Sequence, residues 1–214
     1  MSKTPISVIR DSYINSILDV ETVHKDPVLQ FQIWYNDAMD SEIPDMEAMF
    51  LSTVSENGFP SGRMVLMKGF DLNGFVFFTN YNSRKGSEIL LNPNVAIVFY
   101  WKEINRQVRI TGKAVKVSAA ESDEYFLSRP LESRISAIIS RQSQVIPGRE
   151  AMESKFDAMK LNLSQKEPER PGNWGGFRIT PVTFEFWQSR PHRLHDRIQY
   201  RLAEDTWIIE RLSP

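Results

Sequence analysis

SGRMVLMKGFDLNGFVFFTNYNSRKGS, residues 61–87, sets two basic clusters around a segment that otherwise has the composition of a protein core. Arg63 and Lys68 lie on the first arm, and the apolar run Met64, Val65, Leu66, Met67 between them is expected to be a buried strand. Asn73-Gly74 is a turn signal, so the segment reads as a hairpin whose second arm runs from Phe75 to Thr79. Ser83, Arg84 and Lys85 then open a helix.

The charges in this stretch point to an anion. Cations at a helix N-terminus sit at the unfavourable end of the macrodipole, at a cost of about 0.3–1 kcal/mol each. Arg84 and Lys85 make better sense with a phosphate between them and the free N–H groups, and Thr79 and Ser83 could donate hydroxyls to the same oxygens. A solvated basic corner on an ordinary helix has the same spacing. Arg63 and Lys68 are five residues apart, an odd separation that points them to opposite faces of an unbroken strand. Either a bulge reorients the strand or the two bases serve different anionic groups.

The whole chain sets the frame. Its 214 residues show no compositional break, which implies one domain, large enough to bury roughly 70% of its unfolded surface. With 41% hydrophobic and 25% charged residues it has an ordinary globular composition. The longest apolar run, Val95 to Trp101, falls far short of the ~18 residues of a membrane span, and no secretory h-region is visible, so a cytoplasmic protein is expected. The absence of cysteine removes disulfides, thiolate nucleophiles and Cys-type zinc sites. A net charge of −1 argues against wrapping nucleic acid.

Residues 1–25 read as a flexible arm in which Arg10 and Tyr13 stand out. Asp26-Pro27 starts a helix to about Met39. A strand from Ala48 to Val54 turns at Asn57-Gly58 into a strand from Pro60 to Lys68. Val95 to Trp101 reads as a strand covered on both faces, and Arg106 to Val117 alternates, with Val108 and Ile110 on one side and Gln107, Arg109 and Thr111 on the other. Ser118 and Glu121 form a capping box for a helix ending before Pro130, and helices follow over Leu131–Ser140 and Arg149–Leu163. Strands are expected at Gly176–Thr180, Thr183–Trp187, Arg197–Leu202 and Thr206–Leu212. Many short strands joined by tight turns, with helices gathered in two places, describe an antiparallel barrel that is mainly β with helical insertions.

Three further groups carry chemistry. Tyr125, Arg129 and Ser133 are four apart and suit a second phosphate, although Pro130 interrupts their helix and an ordinary exposed helix edge has the same pattern. SRPHRLHDR, residues 189–197, has two histidines, but its arginines would repel a metal ion. Beside a strand ending in Trp187 it fits a planar anionic ligand better, and no metal is expected. Arg141-Gln142-Ser143-Gln144 is a polar loop. Dinucleotide, P-loop and nucleophile-elbow motifs are absent.

Taken together, GRMVLMK from Gly62, FFTNYNSRKG from Phe77, RQVRITGKA from Arg106, YFLSRP from Tyr125, SRQSQVI from Ser140, WGGFRI from Trp174, and FEFWQ followed by HRLHDR resemble the pyridoxine (pyridoxamine) 5'-phosphate oxidase family. The match runs from about Arg10 to the terminal RLSP. It implies a split β-barrel binding FMN at a homodimer interface. Arg63, Arg84, Lys85 and Thr79 would hold the FMN phosphate and ribityl chain, with Met64, Val65, Leu66, Met67, Lys68 and Phe78 also against the cofactor. Gln107, Gln142, Ser143, Trp187 and Arg197 would line the flavin, some from the other subunit. Lys68, Tyr125, Arg129 and Ser133 would grip the substrate phosphate, Arg193 and His195 would lie over the pyridine ring as the catalytic pair, and Arg10 and Tyr13 would close over the substrate. Phe78 stands where the family often has Tyr, and Asp11 and Ser12 depart from the usual pair in the arm.

The resemblance implies oxidation of pyridoxine or pyridoxamine 5'-phosphate at C4' by hydride transfer to flavin N5, with O2 reduced to H2O2. Two rivals use the same residues differently: a non-catalytic protein storing flavin or pyridoxal phosphate on this barrel, and a nucleic-acid-binding barrel, which would expose aromatics among its bases.

Overall fold

A computed structural model describes residues 17–162 and 167–214 of the protein, so Arg10 and Tyr13 lie outside the described residues. Its first helix, α1 (Pro27–Asp40), starts where Asp26 accepts hydrogen bonds from the N–H groups of Val28 and Leu29. That helix carries Phe31, Trp34 and Ala38 into the interior, where the Phe31 ring lies 4.9–5.9 Å from those of Phe70, Phe75, Phe99 and Trp101. Aromatic contacts of this kind add to the area term and fix the helix against the sheet.

The sheet has nine strands among the described residues: β1 (Ala48–Val54), β2 (Pro60–Leu66), β3 (Gly69–Asp71), β4 (Gly74–Asn80), β5 (Asn94–Trp101), β6 (Arg106–Lys116), β7 (Trp174–Gln188), β8 (Asp196–Ala203) and β9 (Thr206–Arg211). Their order is β2-β1-β5-β6-β7-β4-β3, with β8 also pairing with β7 and β9 with β8. The two strands at the ends of this order, β2 and β3, are consecutive in the chain. Met67 N–H still donates to Glu47 O on the β1 side (2.9 Å), whereas Lys68 N–H donates to Val76 O in β4 (2.8 Å). The curled sheet is therefore bridged by the chain itself and not by a ladder between its edges, which is what splits the barrel.

This seam corrects the reading of residues 61–79 as one hairpin. β2 pairs with β1 over its whole length, and only Gly69–Asp71 pairs with β4. It also settles the odd spacing of Arg63 and Lys68. Arg63 belongs to the β1–β2 ladder opposite Leu51, and strand periodicity ends before Lys68.

Burial of the apolar run is a second correction. Only Met67 is buried, while Met64 and Leu66 are 60% and 43% exposed on the outside of β2. β5 is likewise covered on one face. Val95, Ile97, Phe99 and Trp101 fill the core and Tyr100 is exposed, because no layer of the described residues lies outside β5.

The two strands expected over 176–187 are one strand of 15 residues. Proline cannot donate to a ladder, and Pro181 is accommodated at a register shift where Gly112 faces it while Thr111 faces Thr183.

Of the remaining helices, α2 (Arg84–Leu91) packs near β1, α3 (Ala119–Ser128) near β7, and α4 (Leu131–Ile139) against α5 (Arg149–Asn162). At α3 only half of the expected capping box forms. Ser118 Oγ accepts from Glu121 N–H, whereas the Glu121 carboxylate accepts from Arg178.

Candidate functional site

A cavity of about 440 Å³ opens between the end of β2, the β4–α2 junction and helices α3 and α4. Met64, Val65, Leu66 and Lys68 form one wall, Phe78, Thr79 and Lys85 the floor, and Tyr125, Arg129, Gln142 and Trp174 the far side. Three cations line it and no carboxylate does. Met67 is in the core instead, and Ser133 is half-buried away from the cavity, whose α4 hydroxyl is Ser136, one turn further on.

At one end Lys85 Nζ donates to Thr79 Oγ1 (3.3 Å) and Gln142 Oε1 (3.2 Å). Burial, with the positive charge of Arg63 nearby, lowers the Lys85 pKa, so a bound anion would relieve the cost of its charge. Ser83, in contrast, is committed to the fold. Its buried hydroxyl donates to Asn80 O and accepts from Gly86 N–H at the α2 N-cap, which leaves no proton for a ligand. The expectation that Ser83 donates to the phosphate is corrected by that cap.

Beside this end lies a carboxylate the sequence analysis missed. Glu88 accepts from Thr53, from Ser61 (2.7 Å), from Arg84 Nε (2.9 Å) and from Arg63 Nη2 (3.4 Å). Burial raises its pKa, but these hydrogen bonds and the Arg84 charge outweigh burial and bring it down to about 2. Arg63 also donates to Leu51 O and to the hydroxyls of Thr53 and Ser61, and does not itself line the cavity. With three cations, Arg63, Arg84 and Lys85, against one carboxylate, the corner keeps a surplus of two positive charges. The only signal for Glu88 in the sequence was its place four residues after Arg84.

At the other end the rings of Phe78 and Tyr125 stack at 3.9 Å, and Trp174 lies near-parallel to both, at 5.6 and 6.2 Å. The Arg129 guanidinium sits 4.8 Å over the Trp174 ring. Its Nη1 is buried with no hydrogen-bond partner among the described residues, and burial lowers its pKa. Burial also raises the Tyr125 pKa, so its phenol stays protonated as a donor. Two positive ends about a common apolar wall suit two anionic ligands, or one ligand anionic at both ends.

Most of the remaining expected residues gather on the outer face of the sheet and in the turn before β8. Gln107, Trp187 and Arg197 are cross-strand neighbours on β6, β7 and β8, each flanked by the core residues Val108, Phe186 and Ile198. The His195 ring lies 4.7 Å from that of Trp187, and its Nδ1 accepts from Arg190 N–H (3.1 Å), which leaves Nε2 to carry the proton of the neutral ring. His192 and Arg193 both have positive φ, 57° and 63°, in the turn that presents them. Arg197 donates to Glu185 (2.9 Å) and Ser213 O (2.8 Å), and the Glu185 bond raises its pKa. Ser143 sits in an exposed loop with φ 72°. None of these residues lines the cavity, so one chain holds the expected site as two separate groups. Among the described residues no cluster of metal-ligating side chains occurs, and no helix is long and apolar enough to cross a membrane.

Known proteins place this arrangement in a family. A family model described as pyridoxamine 5'-phosphate oxidase matches residues 35–162, and one described as the pyridoxine 5'-phosphate oxidase C-terminal dimerisation region matches residues 174–214. A pyridoxine/pyridoxamine 5'-phosphate oxidase of Acaryochloris marina is 48% identical over 100% of this chain and 97% of its own length. One from Paraburkholderia xenovorans is 49% identical over 99% of this chain and 100% of its own length. Among solved structures, PhzG from Burkholderia lata, determined with tetrahydrophenazine-1-carboxylic acid, superposes with a TM-score of 0.88 at 27% identity, covering 94% of this chain and all of that one. A pyridoxamine 5'-phosphate oxidase-related, FMN-binding protein from Nostoc punctiforme shares the fold, with a TM-score of 0.69 at 18% identity over 86% of this chain and 97% of its own. The split barrel, the cation-lined cavity and these full-length matches agree: the chain belongs to the pyridoxine/pyridoxamine 5'-phosphate oxidase family of oxidoreductases.

Proposed function

We propose that the protein is a homodimeric FMN-dependent oxidase that converts pyridoxine or pyridoxamine 5'-phosphate to pyridoxal 5'-phosphate. The observation that carries this reading is one cavity with a cationic corner at each end and no carboxylate in its lining. The corner of Lys85, Arg63 and Arg84 has the surplus charge of a phosphate dianion and fits the FMN phosphate, with Thr79 and Gln142 beside the ribityl chain. Arg129, with its buried unpartnered Nη1, Tyr125 and Lys68 fit the substrate phosphate at the other corner. FMN held at this corner would supply the redox chemistry, accepting hydride from C4' with O2 as the final acceptor giving H2O2; the imine left by the amine substrate would be hydrolysed by water with release of ammonia.

The chain's own residues supply position. Fixing the phosphate at Arg129 and Tyr125 sets the distance of C4' from the flavin, and orientation of this kind is worth several kcal/mol of barrier. The apolar wall of Met64 to Leu66 and Phe78 keeps water from the space between the two ligands. In this reading Arg193, from the turn between β7 and β8, and His195, beside Trp187, reach the pyridine ring from the second subunit, where the imidazole would exchange a proton at the C4' substituent. The match to a dimerisation region over residues 174–214 supports this assembly, since those residues include Trp187, Arg193, His195 and Arg197.

Two measurements test the reading. Purified protein should be yellow, and pyridoxamine 5'-phosphate should bleach it anaerobically and yield H2O2 in air; a colourless protein that cannot take up FMN would overturn the assignment, and flavin binding without peroxide would favour storage. Arg129→Ala should raise the KM for pyridoxamine 5'-phosphate about 10- to 100-fold, the range of a lost charge-assisted contact, with FMN content near normal. Equal loss of FMN would refute the division of labour between the corners.

A further inference from the structure

The two arginines of this site are held in different ways. Arg63 is clamped through its edge, with four donor contacts to Leu51 O, Thr53, Ser61 and Glu88. Arg129 is held over a ring, its Cζ 4.8 Å from the centroid of Trp174. A guanidinium carries five N–H donors, all in its plane. A carboxylate clamp consumes donors; a ring beneath the plane consumes none and leaves the edge free for a phosphate.

Trp174 is itself fixed from several sides. It is 6% exposed, its ring meets Phe126 edge-on at 5.3 Å and lies parallel to Tyr125, and its carbonyl accepts from Arg170 Nη1 (2.6 Å), whose Nε pairs with Asp123. It lines the cavity next to Arg129, whose Nη1 remains buried and unbonded. From this geometry we infer that Trp174 is the positioning residue for Arg129: it sets the guanidinium plane and thereby the preference of the site for phosphorylated over unphosphorylated pyridine ligands. This rests on the reading of Arg129 as the substrate-phosphate clamp.

The experiment is equilibrium binding of pyridoxal 5'-phosphate and of pyridoxal to the FMN-loaded protein, in wild type, Trp174→Phe, Trp174→Leu, Arg129→Ala and the Trp174→Leu/Arg129→Ala double variant. Trp174→Leu removes the π face and should weaken pyridoxal 5'-phosphate about tenfold, while Trp174→Phe, which keeps a smaller face, should weaken it about threefold. Pyridoxal binding should change less than twofold in both. In the Arg129→Ala background, Trp174→Leu should add less than twofold, because the group it positions is gone.

If Trp174→Leu costs the same with and without Arg129, or weakens pyridoxal in parallel, the residue is only a packing element and the inference fails. If Arg129→Ala leaves pyridoxal 5'-phosphate binding unchanged, the clamp itself is refuted and the inference falls with it. Trp174→Phe preserves the buried ring, so the comparison survives if Trp174→Leu does not fold.

Discussion

Glu88 shows how a single side chain can organise a charged corner without touching its ligand. A buried anion beside an anion site is costly unless it is fully hydrogen-bonded, and Glu88 is met by two hydroxyls and two guanidinium groups. Its pKa in the folded protein, about 2, lies below its ordinary value of 4.5. A depressed carboxylate pKa means stability that is present above about pH 4.5 and is lost as the pH falls towards 2. Urea unfolding midpoints of wild type and Glu88→Gln should therefore differ most near neutrality and converge across that acid window; a pH-independent difference would show that the carboxylate charge is not what matters. Phe78 illustrates the opposite case, a residue whose missing hydroxyl leaves its ring stack on Tyr125 intact.

Elements in this protein are joined under tight steric limits, and two glycines separate backbone conformation from close approach. Gly58 and Gly74 both have positive φ, 80° and 123°, in turns between neighbouring strands. At Gly58 a Cβ would meet nothing within 4 Å, whereas at Gly74 it would lie 1.9 Å from Ile179 O in the adjacent β7. Gly58→Ala should cost about 1–2 kcal/mol, the strain of the left-handed conformation alone. Gly74→Ala should cost clearly more and lower the thermal midpoint further, because β4 must also move away from β7. Equal losses would mean that the β4–β7 contact yields easily. The β7 bulge follows similar logic: Pro181 lacks a donor, so the ladder shifts there and one strand continues through a proline that, in sequence, marks a break.

For the whole molecule, the decisive feature is the outer face of the sheet. Phe50, Met64 and Tyr100 are 42%, 60% and 58% exposed, and Phe50 pairs with Met64 on one side and Val98 on the other. Continuous apolar surface of this kind on a sheet is a mark of an interface. It borders the row of Gln107, Trp187 and Arg197, which the proposed site needs from a second copy. Tyr100→Glu, outside the cavity lining, should leave the single-chain fold intact, since the side chain is 58% exposed, yet shift the protein to monomer and lower its FMN content. Sedimentation velocity with flavin absorbance checks both, and a flavin-replete monomer would overturn the proposed interface site.

Local chemistry alone determined much of this protein. Asp26-Pro27, Asn57-Gly58, Asn73-Gly74 and Ser83 marked element ends through hydrogen-bonding and φ preferences that act over a few residues. The alternation of β6 placed Gln107 and Arg109 opposite Val108 and Ile110 because strand period is local too. The ordered motifs carried the family, and with it most of the cavity lining. Tertiary structure decided the rest. The Asn57-Gly58 hairpin that pairs β2 with β1 was legible locally, whereas the closure of the sheet decided that only Gly69–Asp71 pairs with β4 and that the chain bridges the seam at Met67–Lys68. An apolar run looks the same whether its cover is its own core or another chain, so the exposure of Met64 and Leu66 was invisible until the layers were in place. Glu88 and Trp174 acquired their roles only there, because hydrogen bonds and ring contacts across 25–45 residues depend on where the fold brings those side chains together.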